Sequence, residues 1–381
     1  MLVKINSIVL FLVLLLGCTN PGENNRSFLS KENWQIDPTP VVSAVASPDW
    51  LRWQTDPCVL KVGGEWLMYF GCNNEGVMTQ IGRATSTDGV NWTLDDGAPA
   101  VQVGPAGAWD DAEVETPWVI YDPDAPAGKL FQMWYSGKGA AGDNRPVFAY
   151  QVGYAFSLDG ITWEKYNDSS NDADSRFAES DPVLPIPNFI DDGEGGFAPS
   201  DLSIPYDAWT TAEPSVVRES SGTLRMYYIG LGVDESPTEY EHRVAMATSQ
   251  NGYEWSKQGV VFECNHSAYE KVGITCCAVV VSGSSYILAF TMFDLDFSQF
   301  ANIERGYTGF AVSSDGSAFE RISLEPVIGH GPADSFYMSG AFAATPVIAD
   351  NNFYVYFSGL YYTEVPAAIE FSIGRTRNTK Y

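Results

Sequence analysis

The chain has 381 residues, a net charge of −27, only 18% charged residues and 14% aromatics, including 11 Trp and 20 Tyr. That acidity excludes nucleic acid and anionic lipid surfaces as partners, because both repel it. The length allows one large domain or two small ones, and an acidic, aromatic-rich surface suits neutral ligands.

In chain order, Lys4 precedes a short apolar run, "IVLFLVLLL" (8–16), too short to span a bilayer and proportioned as a signal segment. It ends in "LLGC" (15–18), which resembles a bacterial lipobox with Cys18 as the lipidated residue. Residues 1–18 therefore read as a lipoprotein signal peptide, 19–38 as a polar tether, and 39–381 as a single domain. Lipidation implies a bacterial envelope location, lipid-anchored at the outer membrane, with the lipid as the sole membrane contact.

The domain opens with a strand, "TPVVSAV" (39–45). A four-part unit then begins: "TDPCVLKV" (55–62), "EWLMYFGC" (65–72), "GRATSTDGVNW" (82–92) and "PAVQVG" (99–104). It returns as "ETPWVIYD" (115–122), "LFQMWYSG" (130–137), "GYAFSLDGITW" (153–163) and "PVLPIP" (182–187). The third copy is "AEPSVVRE" (212–219), "TLRMYYIG" (223–230), "AMATSQNGYEW" (245–255) and "GVVFEC" (259–264). The fourth is "TCCAVVVS" (275–282), "SYILAFTM" (285–292), "GFAVSSDGSAF" (309–319) and "PVIGHG" (326–331). The fifth offers "ATPVIADN" (344–351), "NFYVYFSG" (352–359) and "IGRTR" (373–377), and lacks a fourth part.

β-Branched and aromatic residues bounded by Gly, Asp and Asn make each segment a strand, and a Pro at a strand's first residue costs no ladder bond. The fourth part missing from the last copy stands at the other end, in 39–45. An N-terminal strand that completes the last unit closes a ring. The expected fold is all-β, a five-bladed β-propeller of four-stranded blades. Asp88, Asp159, Asn251 and Asp315 are then turn residues of the outer hairpins, on the face away from the inner-strand starts.

The inner-strand starts carry the chemistry. The residue before the Pro is Asp56, Thr116 and Glu213 in the first three units, matched by Cys276 and Thr345 in the others; Glu115 lies one residue before Thr116. Carboxylates sharing one space raise one another's pKa, which supplies the ionised base and protonated acid that glycosidic cleavage needs. Trp53 and Trp118 lie near them and suit stacking on sugar rings. The inter-unit aromatics Trp50, Trp109, Trp209, Tyr269 and Phe336 read as wedges between units. Lys138, Arg145, His242 and Arg243, on long loops of the same face, suit contacts to sugar hydroxyls. Five cysteines remain after Cys18: Cys58 and Cys72 are placed to meet across one hairpin, and Cys264 to reach Cys276 or Cys277. None shows zinc-site spacing with His.

These features resemble the five-bladed glycosidases of glycoside hydrolase family 43 and its relatives in families 32, 62, 68, 117 and 130. The resemblance is carried by Asp56–Pro57, Glu213–Pro214 and the "MWYSG…GYAFSLDGITW" run (133–163), within residues 39–377. It implies Asp56 as general base, or as nucleophile after the pattern of families 32 and 68, and Glu213 as general acid. The family's second-blade Asp is absent: Thr116 holds that position and Glu115 is its neighbour. The resemblance implies no required cofactor, a structural calcium at the propeller axis, and His330 as its ligand. The activity it implies is removal of a sugar, such as a furanoside or pentose, from an oligo- or polysaccharide by a monomeric enzyme. The alternatives are a non-catalytic glycan-binding lipoprotein and a phosphorylase similar to family 130.

Overall fold

The computed structural model describes residues 27–73, 79–126, 128–140, 149–193, 197–233, 240–271, 273–293, 306–364 and 367–381. Cys18, the signal segment and Arg145 lie outside them. The described chain is built of antiparallel strands and three short 3-10 turns.

Each sequence unit forms a meander. In the first, Trp53–Val62, Glu65–Asn73, Gln80–Ser86 and Trp92–Leu94 pair in chain order. The inner strands of the later units are Glu113–Tyr121, Thr210–Arg218, Gly273–Ser282 and Gly340–Ala349. Units three to five are joined by single parallel bridges, His242 to Gly273 and Gly306 to Gly340. Strand pairing alone does not close the sheets among the described residues.

The fourth strand of the last unit comes from the chain's start. Trp34–Ile36 pairs with Ala367–Asn378, and Val42 bridges Ile373 in the way Val101 bridges Ile81 and Ile328 bridges Thr308. The expected tether is therefore too long: from residue 28 the chain is docked, not loose. Phe28 and Leu29 are buried and the Trp34 ring stacks on Phe310 at 5.3 Å, so apolar burial overrides the polar character of the preceding Asn-rich stretch.

Apolar cores lie between neighbouring units, and one of them joins the last unit to the first, with Val347, Tyr356 and Ile373 against Val59, Trp66 and Met68. A side chain from four of the five second strands also reaches into the next unit's outer turn. Tyr69 donates to Gly160 O (2.6 Å), Trp134 to Gly252 O (2.8 Å), Tyr227 to Gly316 O (3.0 Å) and Tyr356 to Gly89 O (2.8 Å). The fourth unit has Ala289 at this position, facing a unit that has no such hairpin.

Those turns are local hydrogen-bond devices. The Ser86 hydroxyl accepts Gly89 N–H at 2.9 Å, and Asp88 accepts Val90 and Asn91 N–H at 2.8 Å; Ser157/Asp159, Ser249/Asn251 and Ser313/Asp315 repeat it. Accepting those amides holds the Asp88, Asp159 and Asp315 carboxyls below the usual carboxylate range. The turns pair with the beginnings of the second strands, so they sit at the face opposite the inner-strand starts.

Candidate active site

Every inner strand is broken by a β-bulge at one register, between Thr55 and Cys58, Glu115 and Trp118, Ala212 and Ser215, Thr275 and Ala278, and Phe342 and Thr345. At each bulge one residue adopts the left-handed conformation: Asp56 (φ 53°), Thr116 (47°), Glu213 (54°), Cys276 (50°) and Ala343 (47°). Non-glycine residues pay about 1–3 kcal/mol for this, and bulges re-aim side chains beside functional sites. Here the five bulges line one narrow cavity of about 30 Å³ with the residues that follow them, among them Pro57, Pro117, Pro214, Cys277 and Ala344. The fifth-unit match is thus Ala343 and not Thr345. Pro346 sits two residues downstream of the bulge and imitates the motif, while Thr345 pairs across its hairpin as Cys58 and Ser215 do.

The bulges are held by the neighbouring unit. Ser358 accepts the Asp56 amide (2.8 Å), Ser136 the Glu213 amide (2.7 Å) and Thr291 the Ala343 amide (2.9 Å). The acceptor position is Ile229 in the third unit, which has no hydroxyl, and there the Glu213 carboxylate accepts the Cys276 amide through Oε2. In the first unit it is Gly71. A Cβ on Gly71 would stand 3.2 Å from Thr55 Oγ1, 3.4 Å from Asp56 Oδ2 and 3.7 Å from Glu115 Cβ. The glycine leaves room for Glu115 to approach Asp56, one residue off the bulge register.

Asp56, Glu115 and Glu213 form one electrostatic group. Burial, above all, pushes the Glu213 carboxyl up to about 7, with the charge of Asp56 adding to it and the Cys276 amide opposing. Burial pushes Glu115 up to about 8, reinforced by Glu113, Asp56 and Glu213 and opposed by Lys138. Asp56 is raised by burial too. A neutral carboxylic acid and a carboxylate therefore coexist near pH 7, as acid–base cleavage requires.

The neighbouring carboxylates have other work. Buried Asp110 binds Lys165 (2.6 Å) and Tyr135 (3.1 Å), and Asp111 accepts the Gly107 and Ala140 amides at 2.6 Å. Glu113 accepts from Tyr150 (2.6 Å) and pairs with Lys138 (3.1 Å), whose ammonium lies 4.7 Å from the Tyr150 ring centre. Lys138, expected on sugar hydroxyls, thus already has a carboxylate.

Thr116 and Trp118 line the cavity, with Thr116 Oγ1 2.5 Å from Ser136 Oγ and the Trp118 indole donating to Val216 O at 2.8 Å. Trp53 is 8% exposed, with its ring 5.6 Å from Phe371, and does not line the cavity. His242 sits at the bridge to Gly273, and burial pushes its imidazole down to about 4, so it is neutral at pH 7. Arg243 is buried and pairs with Glu241 at 2.7 Å. Trp109, Trp209, Tyr269 and Phe336 are packed as wedges on Tyr135, Phe189, Tyr307 and Phe357.

The cavity does not fit calcium. That ion takes six to eight oxygens. Besides Asp56 and Glu213 the lining offers Thr116 and Thr345 hydroxyls, already bonded to Ser136 and to Pro57 O, among Pro, Ala and Cys side chains. The His330 ring is exposed, stacks on Tyr307 at 4.5 Å and is not part of the lining. The five described cysteines are free thiols. Cys58 pairs with Tyr69 and Cys72 with Gln54, so the two do not face each other, while Cys276 and Cys277 both contact Glu213.

Fold and site together define an all-β protein with buried, coupled carboxylates at a shared cavity. Solved structures similar to this chain include glycoside hydrolases and a phosphorylase. A glycoside hydrolase matches with TM-score 0.66 and 16% identity over 93% of this chain and 95% of its own. A thermostable family-43 glycoside hydrolase matches at 0.60 and 14%, covering 89% and 92%. The β-1,2-mannobiose phosphorylase of Listeria innocua, solved with β-1,2-mannobiose, matches at 0.60 and 12%, covering 91% and 96%. No family model matches the chain. Among curated proteins, the A type blood N-acetyl-alpha-D-galactosamine deacetylase of Flavonifractor plautii is 27% identical over 188 residues, 42% of this chain and 24% of its own length. The chain spans from 24% to about half the length of the curated relatives it matches.

Proposed function

We propose that this chain is a glycoside hydrolase built as a closed five-bladed β-propeller, with Glu213 as general acid and Asp56 as base or nucleophile. One observation carries the reading: Asp56 and Glu213 occupy the same strained bulge position of two inner strands, buried and electrically coupled at one cavity. Closure is supported by the core between the last and first units and by Ser358 and Thr345 bonding to Asp56 N and Pro57 O.

In the reaction, Glu213 holds its proton at neutral pH and gives it to the leaving glycosidic oxygen. Its Oε2 accepts the Cys276 amide, and its Oε1, 3.7 Å from the Cys276 thiol, carries that proton. Asp56, as base or nucleophile, acts on the opposite face of the sugar. Glu115, pushed up to about 8, keeps its proton near pH 7 and does not add a third charge to the group. The cavity of about 30 Å³ is too small for a sugar, so the ring sits above the bulges with its reacting carbon over the carboxyl groups. A carboxyl separation of about 5 Å in the complex gives retention and one of about 6.5–9.5 Å inversion. The substrate is an oligo- or polysaccharide that loses a terminal sugar, a furanoside or pentose being the class favoured. We place the enzyme at the bacterial outer membrane, as a monomer held by a lipid on Cys18; loss of fatty-acid labelling in Cys18→Ala checks this.

The test is a screen of aryl glycosides and plant or algal polysaccharides with released sugars identified. Glu213→Gln and Asp56→Asn each abolish turnover while thermal unfolding stays cooperative; unchanged turnover in either overturns the assignment. The similarity to a sugar deacetylase favours one second reading, an acetyl group removed from an acetylated sugar. Acetate release without a released sugar selects it.

A further inference from the structure

Outside the cavity, one group of side chains has the composition and spacing of a metal site. Glu241 stands near the start of the third strand of unit three, and Cys264 and His266 lie in the link from that unit to the fourth inner strand. One ligand atom from each lies within 4.8 Å of the others, the only such group among the described residues. His266 Nδ1 is 3.8 Å from Cys264 Sγ, and His266 Nε2 is 3.5 Å from Glu241 Oε1. Tetrahedral zinc, with bonds of about 2.3 Å to sulfur and about 2.1 Å to nitrogen or oxygen, separates S from N by roughly 3.6 Å and N from O by roughly 3.3 Å. The Nδ1–Sγ separation is within a few tenths of an ångström of the first edge; Glu241 Oε1 faces the other ring nitrogen, so bringing one atom of each residue onto one ion takes a small rotation of the exposed imidazole or of Glu241 within the 4.8 Å group.

The surroundings hold the three groups in place. Glu241 divides its oxygens: Oε2 bonds Arg243 at 2.7 Å, which leaves Oε1 facing His266. The link is pinned by buried Glu270, which accepts the Asn265 amide at 3.0 Å and pairs with Arg321 at 2.6 Å. Cys264 donates to Glu270 O at 2.9 Å, and its sulfur accepts the His266 amide at 3.3 Å. Fixed partners behind the ligands are what tuned metal sites require. The His266 side chain is 69% exposed, so a fourth position opens to water.

We propose that Glu241, Cys264 and His266 bind one zinc ion, with water as fourth ligand. A thiolate, an imidazole and a carboxylate suit a borderline-soft ion and not calcium or magnesium. The thiolate and carboxylate together neutralise its two charges. On binding, Cys264 releases its thiol proton to solvent and the S–H···O bond to Glu270 gives way to a sulfur–zinc bond. The ion clips the link to the strand beside it. That link runs on to the fourth inner strand, whose Cys276 amide holds Glu213. The site is separate from the glycosidase assignment and stands without it.

The test uses the purified chain with zinc alone. One equivalent of Zn²⁺ binds by calorimetry and elemental analysis and raises the unfolding temperature. Co²⁺ in its place gives a thiolate-to-cobalt charge-transfer absorption. Cys264→Ala and His266→Ala each remove the absorption and weaken zinc binding at least 100-fold. Exposed His266 makes its variant safe for folding, which a cooperative melt checks. Less than a tenth of an equivalent bound, or an undiminished cobalt absorption in Cys264→Ala, overturns the proposal. So does its loss in Cys276→Ser/Cys277→Ser alone, which would move the ion to the cavity.

Discussion

The Glu213 amide donates to Ser136 Oγ at 2.7 Å, across the junction of the second and third units, and the same oxygen lies 2.5 Å from Thr116 Oγ1. One hydroxyl thus fixes two adjacent bulges. Ser136→Ala leaves the Glu213 N–H without its acceptor, at a cost of about 1–3 kcal/mol. The expected result is a lowered unfolding temperature and a kcat reduced tenfold or more. Ser136→Thr, which keeps the hydroxyl, recovers part of both. Steady-state kinetics and calorimetry on the three proteins check this.

Gly71 is the position where three of the other four units place Ser136, Thr291 and Ser358, and its lack of a side chain makes space between Asp56 and Glu115. Gly71→Ser restores the repeat and crowds both carboxyl groups. Turnover should fall at least 100-fold with little loss of stability, because displacing two side chains misplaces the reacting groups while the backbone tolerates serine. A variant as active as the parent shows that Glu115 takes no part.

The acid limb of catalysis depends on Glu213 keeping its proton. With its carboxyl pushed up to about 7, kcat/KM should fall above pH 7. Loss of the Asp56 charge removes one of the causes of that rise. In Asp56→Asn the Glu213 carboxyl, followed by carbon NMR, should therefore titrate at lower pH. An unchanged titration shows the two groups to be uncoupled.

The units and the three carboxyl positions were named from the sequence, Asp56 and Glu213 for physical reasons and Glu115 as the neighbour of Thr116. Ser-x-Asp-Gly and Ser-x-Asn-Gly turns need fixed residues at fixed spacing, and Asp56–Pro57 and Glu213–Pro214 mark a bulge that Pro stabilises. The fifth unit misled because Pro346 falls two residues beyond the bulge at Ala343; counting from Tyr356, the hairpin partner of Thr345, finds the register. Ser136 and Ser358 were hidden inside Ser-Gly pairs that read as strand ends. Phe28, Leu29 and Trp34 were the signal that the tether ends early. Cys264 and His266 escaped a spacing test because Glu241 lies on another strand. Trp53 is aromatic for packing against Phe371, and composition alone does not separate that from ligand stacking.

The seam between the last and first units is testable through Tyr356, whose hydroxyl donates to Gly89 O at 2.8 Å. Tyr356→Phe should cost about 1 kcal/mol by equilibrium denaturation, the worth of one buried hydrogen bond, with turnover unchanged. An effect near zero would show the seam open in solution.

Stability should also carry the imprint of the buried acids. Glu115 and Glu213 hold protons in the folded chain up to about pH 8 and about pH 7, whereas unfolded they release them near 4.5. Between those limits the folded state binds more protons, so stability is full below about pH 4.5 and is lost as pH rises through the folded values. A tenfold difference in proton affinity between the folded and unfolded chain is worth about 1.4 kcal/mol, which gives a few kcal/mol for Glu115 above pH 8. Glu115→Gln never ionises. Its unfolding temperature should match the parent's at pH 4 and exceed it by several degrees at pH 8.5. Parallel curves across that range would mean that Glu115 is solvated, and the coupled carboxyl group at the cavity would lose a member.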